Sequence, residues 1–239
     1  MCSKIISADE YRNIINVPIE GIQDFEEKED NNGNKYHDLY SDSRFKTLLI
    51  PEKTLQKRIY NLALSIVKQG ENVDRYDFLI VLTGAFIFGA DLGREIYKIC
   101  GIDVIFHTVK LSTYQGEIKG KGELSRQVKF ELEPLDIENH DIIIVEDIID
   151  QGFTLNALRE YLIKNKKVNS VKICTLLLKN LDNPSQEVIQ SRKNIESHLN
   201  FVGFTVPDIW VAGYGIDASN DFRSLPFIIG VDEKFYLSN

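Results

Sequence analysis

The sequence predicts an α/β protein whose parallel sheet is covered by helices on both faces. Three observations predict it. From Leu48 onward, short continuous apolar runs alternate with segments of helical period, the pattern of βαβ units. The runs at 78–82 and 142–145 are apolar at every position, as strands buried on both faces require. A chain of 239 residues, 43% hydrophobic and 27% charged, has enough material for one full domain core.

The elements follow in order. Residues 24–38 hold an acidic run around Lys28 and then Asn31-Asn32-Gly33-Asn34, which is turn chemistry on a solvated loop. Residues 53–68 carry Leu55, Ile59, Leu62, Ala63, Ile66 and Val67 at helical spacing. The strand at 78–82 ends before Gly84, and 86–99 reads as a helix with Ile87, Ala90, Ile96 and Tyr97. Residues 102–110 are rich in β-branched and aromatic side chains and read as a strand. Residues 112–127 are polar, carry Gly116, Gly120 and Gly122, and are expected to form a mobile loop. Residues 128–132 alternate like a half-buried strand. After the strand at 142–145, residues 154–166 place Leu155, Leu158, Tyr161 and Leu162 on one helical face. Residues 171–178 form the next strand, and 180–200 begin polar and loop-like. Short strands are expected at 201–204, 210–213 and 227–231. There is no internal repeat and no separating linker, so 1–239 reads as one domain.

Composition narrows the function. Asp plus Glu number 36 against 28 Lys plus Arg, a formal charge of −8, which disfavours non-specific nucleic-acid binding. Cys2, Cys100 and Cys174 are widely spaced and odd in number, as expected for thiols of a reducing compartment. No signal-peptide pattern opens the chain, and no apolar run approaches the ~20 residues of a membrane span. The expectation is a cytoplasmic protein with no membrane partner.

One segment carries chemistry. The apolar run 142–145 leads into Glu146-Asp147-Ile148-Ile149-Asp150-Gln151-Gly152-Phe153-Thr154, where a helix begins. Successive N–H groups from Asp150 to Thr154 can form an anion-binding nest, reinforced by the helix N-terminus. Gly152 permits the turn and the close approach of a phosphate, and the Thr154 hydroxyl can donate to it. Glu146 and Asp147 would repel that anion, so they suit hydroxyls or a metal. Read alone, Asp147 and Asp150 could equally cap the helix.

The whole string resembles the phosphoribosyl pyrophosphate (PRPP) signature of type I phosphoribosyltransferases, in the form used by the hypoxanthine-guanine branch. Other segments resemble that branch in the same order. Residues 79–88, with Thr83-Gly84, look like its pyrophosphate loop. Ser112-Thr113-Tyr114 matches its lid, and 174–179 its purine-contacting strand ending in Lys179. Residues 201–217 resemble the base-binding hood, and 222–226 the Arg-containing segment after it. The resemblance implies a core at about 48–200 and a small hood built from about 1–47 and 201–239.

The resemblance also implies a reaction and a site. A 6-oxopurine base and PRPP would give a nucleoside monophosphate and pyrophosphate, with Mg²⁺ as cofactor, in a homodimer or homotetramer. Glu146 and Asp147 would hold the ribose hydroxyls with Mg²⁺ nearby, and Asp217 would bind the metal near pyrophosphate. Asp150 would act at purine N7 as general base. Gln151, Gly152, Phe153 and Thr154 would bind the 5′-phosphate; Thr83, Gly84 and Thr113 would meet the pyrophosphate side. Lys179 would select the 6-oxo group, Trp210 would stack on the base, and Val211 and Asp217 would border its edge. Arg223 would bind pyrophosphate, and Tyr114 would shield the reacting ribose. Read without the resemblance, Trp210 fits core packing, Lys179 a solvated strand end and Arg223 a surface ion pair. Relatives commonly carry Lys or Arg where Thr83 stands, and Thr and Lys where Gln151 and Phe153 stand, which implies weaker PRPP binding or greater Mg²⁺ dependence here. The peptide Leu82-Thr83 aligns with a bond that is cis in the family. A PRPP- or nucleotide-sensing regulatory protein on the same fold is the competing reading.

Overall fold

In the computed structural model, residues 14–22, 42–70, 73–117, 124–132 and 136–235 are described. Cys2, the acidic stretch 24–38 and the tip of the expected loop at 118–123 lie outside them.

Two strands show how the sequence makes a two-faced sheet. In β3 (Tyr76–Leu82), Phe78 and Ile80 pack into one core and Leu79 and Val81 into another. In β6 (Asp141–Ile149), Ile143 and Val145 join the first core and Ile142 and Ile144 the second. Side chains alternate across a strand, so a continuous apolar run is what two covered faces demand. Helices α1 (Glu52–Gln69) and α2 (Phe86–Cys100) cover the first face with Leu55, Ile59, Leu62, Phe88, Leu92 and Ile96. Helix α3 (Phe153–Asn165) covers the second with Leu155, Leu158 and Leu162, joined by Ile195 of α4 (Gln186–Glu196). Each such side chain contributes about 1.5–3 kcal/mol on burial.

The large sheet has seven strands in the order β1-β8-β7-β6-β3-β4-β5, with β1 (Ile15–Asn16), β4 (Val104–Glu117), β5 (Leu124–Leu132), β7 (Ser170–Asn180) and β8 (Leu199–Pro207) beside those above. Its neighbours are parallel except β4 and β5. A second sheet, β2-β10-β9, is antiparallel and joins β2 (Phe45–Ile50), β9 (Val211–Ala212) and β10 (Ile228–Val231).

Three expectations change. The polar stretch expected as a mobile loop at 112–127 is a β-hairpin where it is described: Thr113 pairs with Val128 and Tyr114 with Gln127. An edge hairpin needs only its backbone ladder, so polar residues and glycine do not exclude it. The segment 180–200 contains α4, capped by Ser185, whose side chain accepts a hydrogen bond from the Val188 N–H at 3.3 Å. β8 lies wholly in the large sheet, so the chain passes to the small sheet only after Pro207 rather than near residue 200. Cys174 is buried and Cys100 partly so, both as free thiols, and burial pushes the Cys174 thiol far up.

Candidate active site

The carboxyl end of β6 is where the buried strand meets solvent. Val145 is fully buried, Glu146 and Asp147 are half-buried and Asp150 is exposed. The chain then turns through Gly152, at φ +81° and ψ −5°, and enters α3 at Phe153. That left-handed conformation costs a residue with a Cβ about 1–2 kcal/mol, which is why glycine stands here. Gly152, at the N-cap position, has no side chain to cap this helix. The Asp147 carboxylate accepts from the Ile148 N–H at 2.9 Å, before α3 begins, and the Asp150 carboxylate lies 3.6 Å from Lys179 Nζ. The first turn of α3 lines a cleft, where its N–H groups and dipole favour an anion. The cleft measures about 810 Å³ and is lined by Val81, Leu82, Leu111, Glu146, the stretch 148–155 and Ala157. Gln151, Gly152, Phe153 and Thr154 all line it.

The acids differ in their surroundings. The Glu146 carboxyl is held well above the usual carboxylate range, first by withdrawal from water and then by the Asp147 carboxylate beside it. Asp147 packs against the turn after β3: a Cβ on Gly84 would lie 1.7 Å from Asp147 Oδ2. The Leu82–Thr83 peptide in that turn is cis, and the Thr83 carbonyl accepts from the Phe86 N–H at 3.2 Å. A Cβ on Gly215 would lie 2.1 Å from the Gly84 carbonyl oxygen. These close approaches bring the 213–217 loop against the turn at Thr83.

That loop carries Asp217 and Arg223 as a pair. Arg223 donates to the Gly215 carbonyl at 2.7 Å and meets Asp217 Oδ1 at 2.7 Å, while Asp217 Oδ2 accepts from the Asn220 N–H at 2.8 Å. The loop is moored to α2 by a short hydrogen bond from Tyr214 to Asp91. Asp217 and Arg223 stand outside the residues that line the cleft.

The base side is built at the ends of β7 and β8. Lys179 is 11% exposed, far from a solvated strand end, and its Nζ lies 3.6 Å from Asp150 Oδ2 and 3.4 Å from Asp208 Oδ1. Lys179 thus bridges the anion loop and β8. Asp208 was not singled out in the sequence; the signal was an acid at a strand end, two residues before Trp210. It also accepts from the Asp182 N–H at 3.0 Å. Trp210 packs on the small-sheet core of Ala212, Phe227 and Ile229, and its carbonyl accepts from the Val231 N–H at 3.0 Å. Val211 is buried and paired with Gly230. Thr113 and Tyr114 lie on β4, placed by backbone pairing to β5.

Hard carboxylate oxygens fit Mg²⁺, which keeps several waters and accepts one or two carboxylates together with substrate oxygens. Among the described residues no group of three or more His, Cys, Asp or Glu gathers into a protein-only metal cage. Glu146 and Asp147 at a cleft mouth suit the former arrangement.

A largely parallel sheet with an acidic strand end, a glycine-led helix start and a lysine beside it fits a protein that binds phosphorylated ligands at the carboxyl ends of its strands. The chain belongs to the phosphoribosyl transferase domain family, whose sequence model matches residues 53–217. It is 36% identical over 184 residues to the hypoxanthine phosphoribosyltransferase of Escherichia coli, covering 76% of this chain and 92% of that one. It is also 36% identical over 184 residues to the hypoxanthine-guanine phosphoribosyltransferase of Bacillus subtilis, covering 76% and 90%. The crystal structure of the L. donovani hypoxanthine-guanine phosphoribosyltransferase superposes with a TM-score of 0.66 at 27% identity, covering 80% of this chain and 98% of that one.

Proposed function

We propose that the chain is a purine-salvage transferase that moves the 5-phosphoribosyl group of PRPP to a 6-oxopurine, giving a nucleoside monophosphate and pyrophosphate. The observation that carries this reading is the placement of Lys179 against Asp150 at the rim of the phosphate cleft. A cation and a carboxylate side by side match the two edges of a 6-oxopurine: Lys179 donates to the 6-oxo oxygen and Asp150 takes the proton at N7. Adenine would offer its amino donors to a cation, leaving Lys179 unpaired.

The other residues fall into place around that pair. The N–H groups from Asp150 to Thr154 hold the 5′-phosphate, with the Thr154 hydroxyl donating to it. Glu146 and Asp147 accept from the ribose hydroxyls and would hold Mg²⁺, which would neutralise charge on the pyrophosphate when bound. Asp217 would complete the metal's surroundings, directly or through water. Thr83, Gly84 and Thr113 border the pyrophosphate, and Arg223 turns from Asp217 to it. Trp210 stacks on the base, Val211 and Asp217 border its edge, and Tyr114 screens the oxocarbenium-like ribose from water.

The same reading takes the chain as one catalytic unit with the small sheet as its hood, cytoplasmic, and a homodimer or homotetramer. Exposed Phe86, Tyr97 and Phe106 supply apolar surface for such contacts. Among the described residues no helix is long and apolar enough to cross a membrane.

Incubation with PRPP, Mg²⁺ and each of hypoxanthine, guanine, xanthine and adenine tests the reading. Nucleotide is expected from one or more 6-oxopurines and not from adenine. PRPP binding with no nucleotide from any base would favour the sensing protein instead.

A further inference from the structure

The transferase reading gives no role to Arg192, a side chain of α4 that is only 12% exposed. Its partners are main-chain oxygens behind the site. Nη1 donates to the carbonyls of Asp150 at 2.6 Å and Ile149 at 3.2 Å, and Nη2 donates to the carbonyl of Lys179 at 3.0 Å. Nε donates to Glu196 Oε1 at 2.9 Å, which fixes the plane of the fork. One guanidinium therefore joins the two strand ends that present the base-facing pair.

The helix that carries Arg192 is itself fixed to the anion loop. Asn156 of α3 donates to the Ser191 carbonyl at 2.8 Å. Ile195 is fully buried, and its Cγ2 lies 3.0 Å from where a Gly152 Cβ would stand. α4 is thus a backing plate for the turn at 150–152.

We propose that Arg192 is a positioning residue for both halves of the site, an inference that rests on the transferase reading. In a trans peptide the carbonyl and the following N–H point in opposite directions. Holding the Asp150 carbonyl back on Arg192 turns the Gln151 N–H the other way, out of α4 and toward the phosphate. The guanidinium charge also polarises that peptide, which strengthens its N–H as a donor. This support stands behind a phosphate loop that carries Gln151 and Phe153 where a Lys-bearing loop would place charge in front. The bond to the Lys179 carbonyl holds the end of β7 in register with Asp150. Lysine cannot replace the fork, because one ammonium lacks its planar, divergent donors.

Initial rates of the full chain, with PRPP and hypoxanthine each varied, test this. Arg192→Ala is expected to raise the KM for PRPP and for hypoxanthine together, each about tenfold or more, and to lower kcat. A merely structural loss would reduce the active fraction and hence kcat, leaving both KM values in place. Arg192→Lys keeps the charge and is expected to recover less than half of the loss on a logarithmic scale. It also carries the test if the alanine variant does not fold. Both KM values within twofold of wild type in either folded variant, or full recovery by lysine, would overturn the role. A wild-type chain that makes no nucleotide from any base overturns the transferase reading and this inference with it. An active wild type with unchanged variants overturns Arg192 alone.

Discussion

Gly152→Ala isolates the geometry of the anion loop. Its φ of +81° costs an alanine about 1–2 kcal/mol. The new methyl would meet Ile195 Cγ2 at 3.0 Å, and Ile195 is fully buried, which adds about 1 kcal/mol of overpacking. Alanine also stiffens the unfolded chain, which returns about 0.4–1 kcal/mol. The net loss is about 1–2.5 kcal/mol, and at about 2–4 °C per kcal/mol for a chain of this size the melting temperature falls by about 2–10 °C. If the turn rotates to relieve the strain, less stability is lost but the N–H groups swing out of register, and the KM for PRPP rises by about tenfold or more. Calorimetry together with PRPP saturation covers both routes. An unchanged melting temperature with an unchanged KM would refute the left-handed turn as the phosphate-binding conformation.

Further outcomes follow from the same geometry. Asp150→Asn is expected to lower kcat by about 10²–10⁴-fold with a much smaller change in PRPP affinity; unchanged turnover would remove Asp150 as the base. Lys179→Gln deletes a charged hydrogen bond worth about 1.5–3 kcal/mol, so kcat/KM for hypoxanthine should fall roughly 10- to 150-fold, and an equal fall for every base would count against recognition of the 6-oxo group. Glu146→Gln should change stability with pH. The folded-state carboxyl of Glu146 is raised, so the wild type is penalised as pH climbs above the unfolded value of about 4.3 and through the folded one. The melting temperature of the variant relative to wild type should therefore rise across that window and then level off; a flat difference would refute the burial of this carboxyl. The KM for PRPP should fall steeply as Mg²⁺ is raised, and a KM independent of Mg²⁺ would exclude a metal-borne share of phosphate binding.

What the sequence made legible was what is written contiguously. The strands at 78–82 and 142–145 stood out because both faces are buried, which leaves no polar position to blur the run. The anion loop stood out because its acids, glycine and helix start occupy nine successive residues. The hairpin of β4 and β5 was hidden by its composition, since an edge ladder held by backbone bonds tolerates residues that also favour loops. α4 was hidden because its buried stripe is only Val188, Ser191 and Ile195, too thin for a periodic signal. Arg192 and Asp208 were hidden for a different reason. Their significance arises only when β7 and β8 bring positions 150, 179 and 208 together, and no spacing along the chain encodes that meeting.

The acidic balance of the chain and its anionic ligand are reconciled at the same place. Among the described residues, those lining the cleft include Glu146 and Asp150 but neither lysine nor arginine. From this lining, attraction for the 5′-phosphate rests on oriented N–H groups, with Arg223 and a cation brought with the substrate serving the pyrophosphate side. Oriented N–H groups work only while their peptide planes are held, because a freely rotating peptide presents its carbonyl as readily as its N–H. A loop without frontal lysines therefore depends more heavily on what stands behind it. In this chain that is α4, with Arg192 on the carbonyls of Ile149 and Asp150 and Ile195 against the turn. A described cleft lining without lysine or arginine and a guanidinium at the rear fit one electrostatic arrangement.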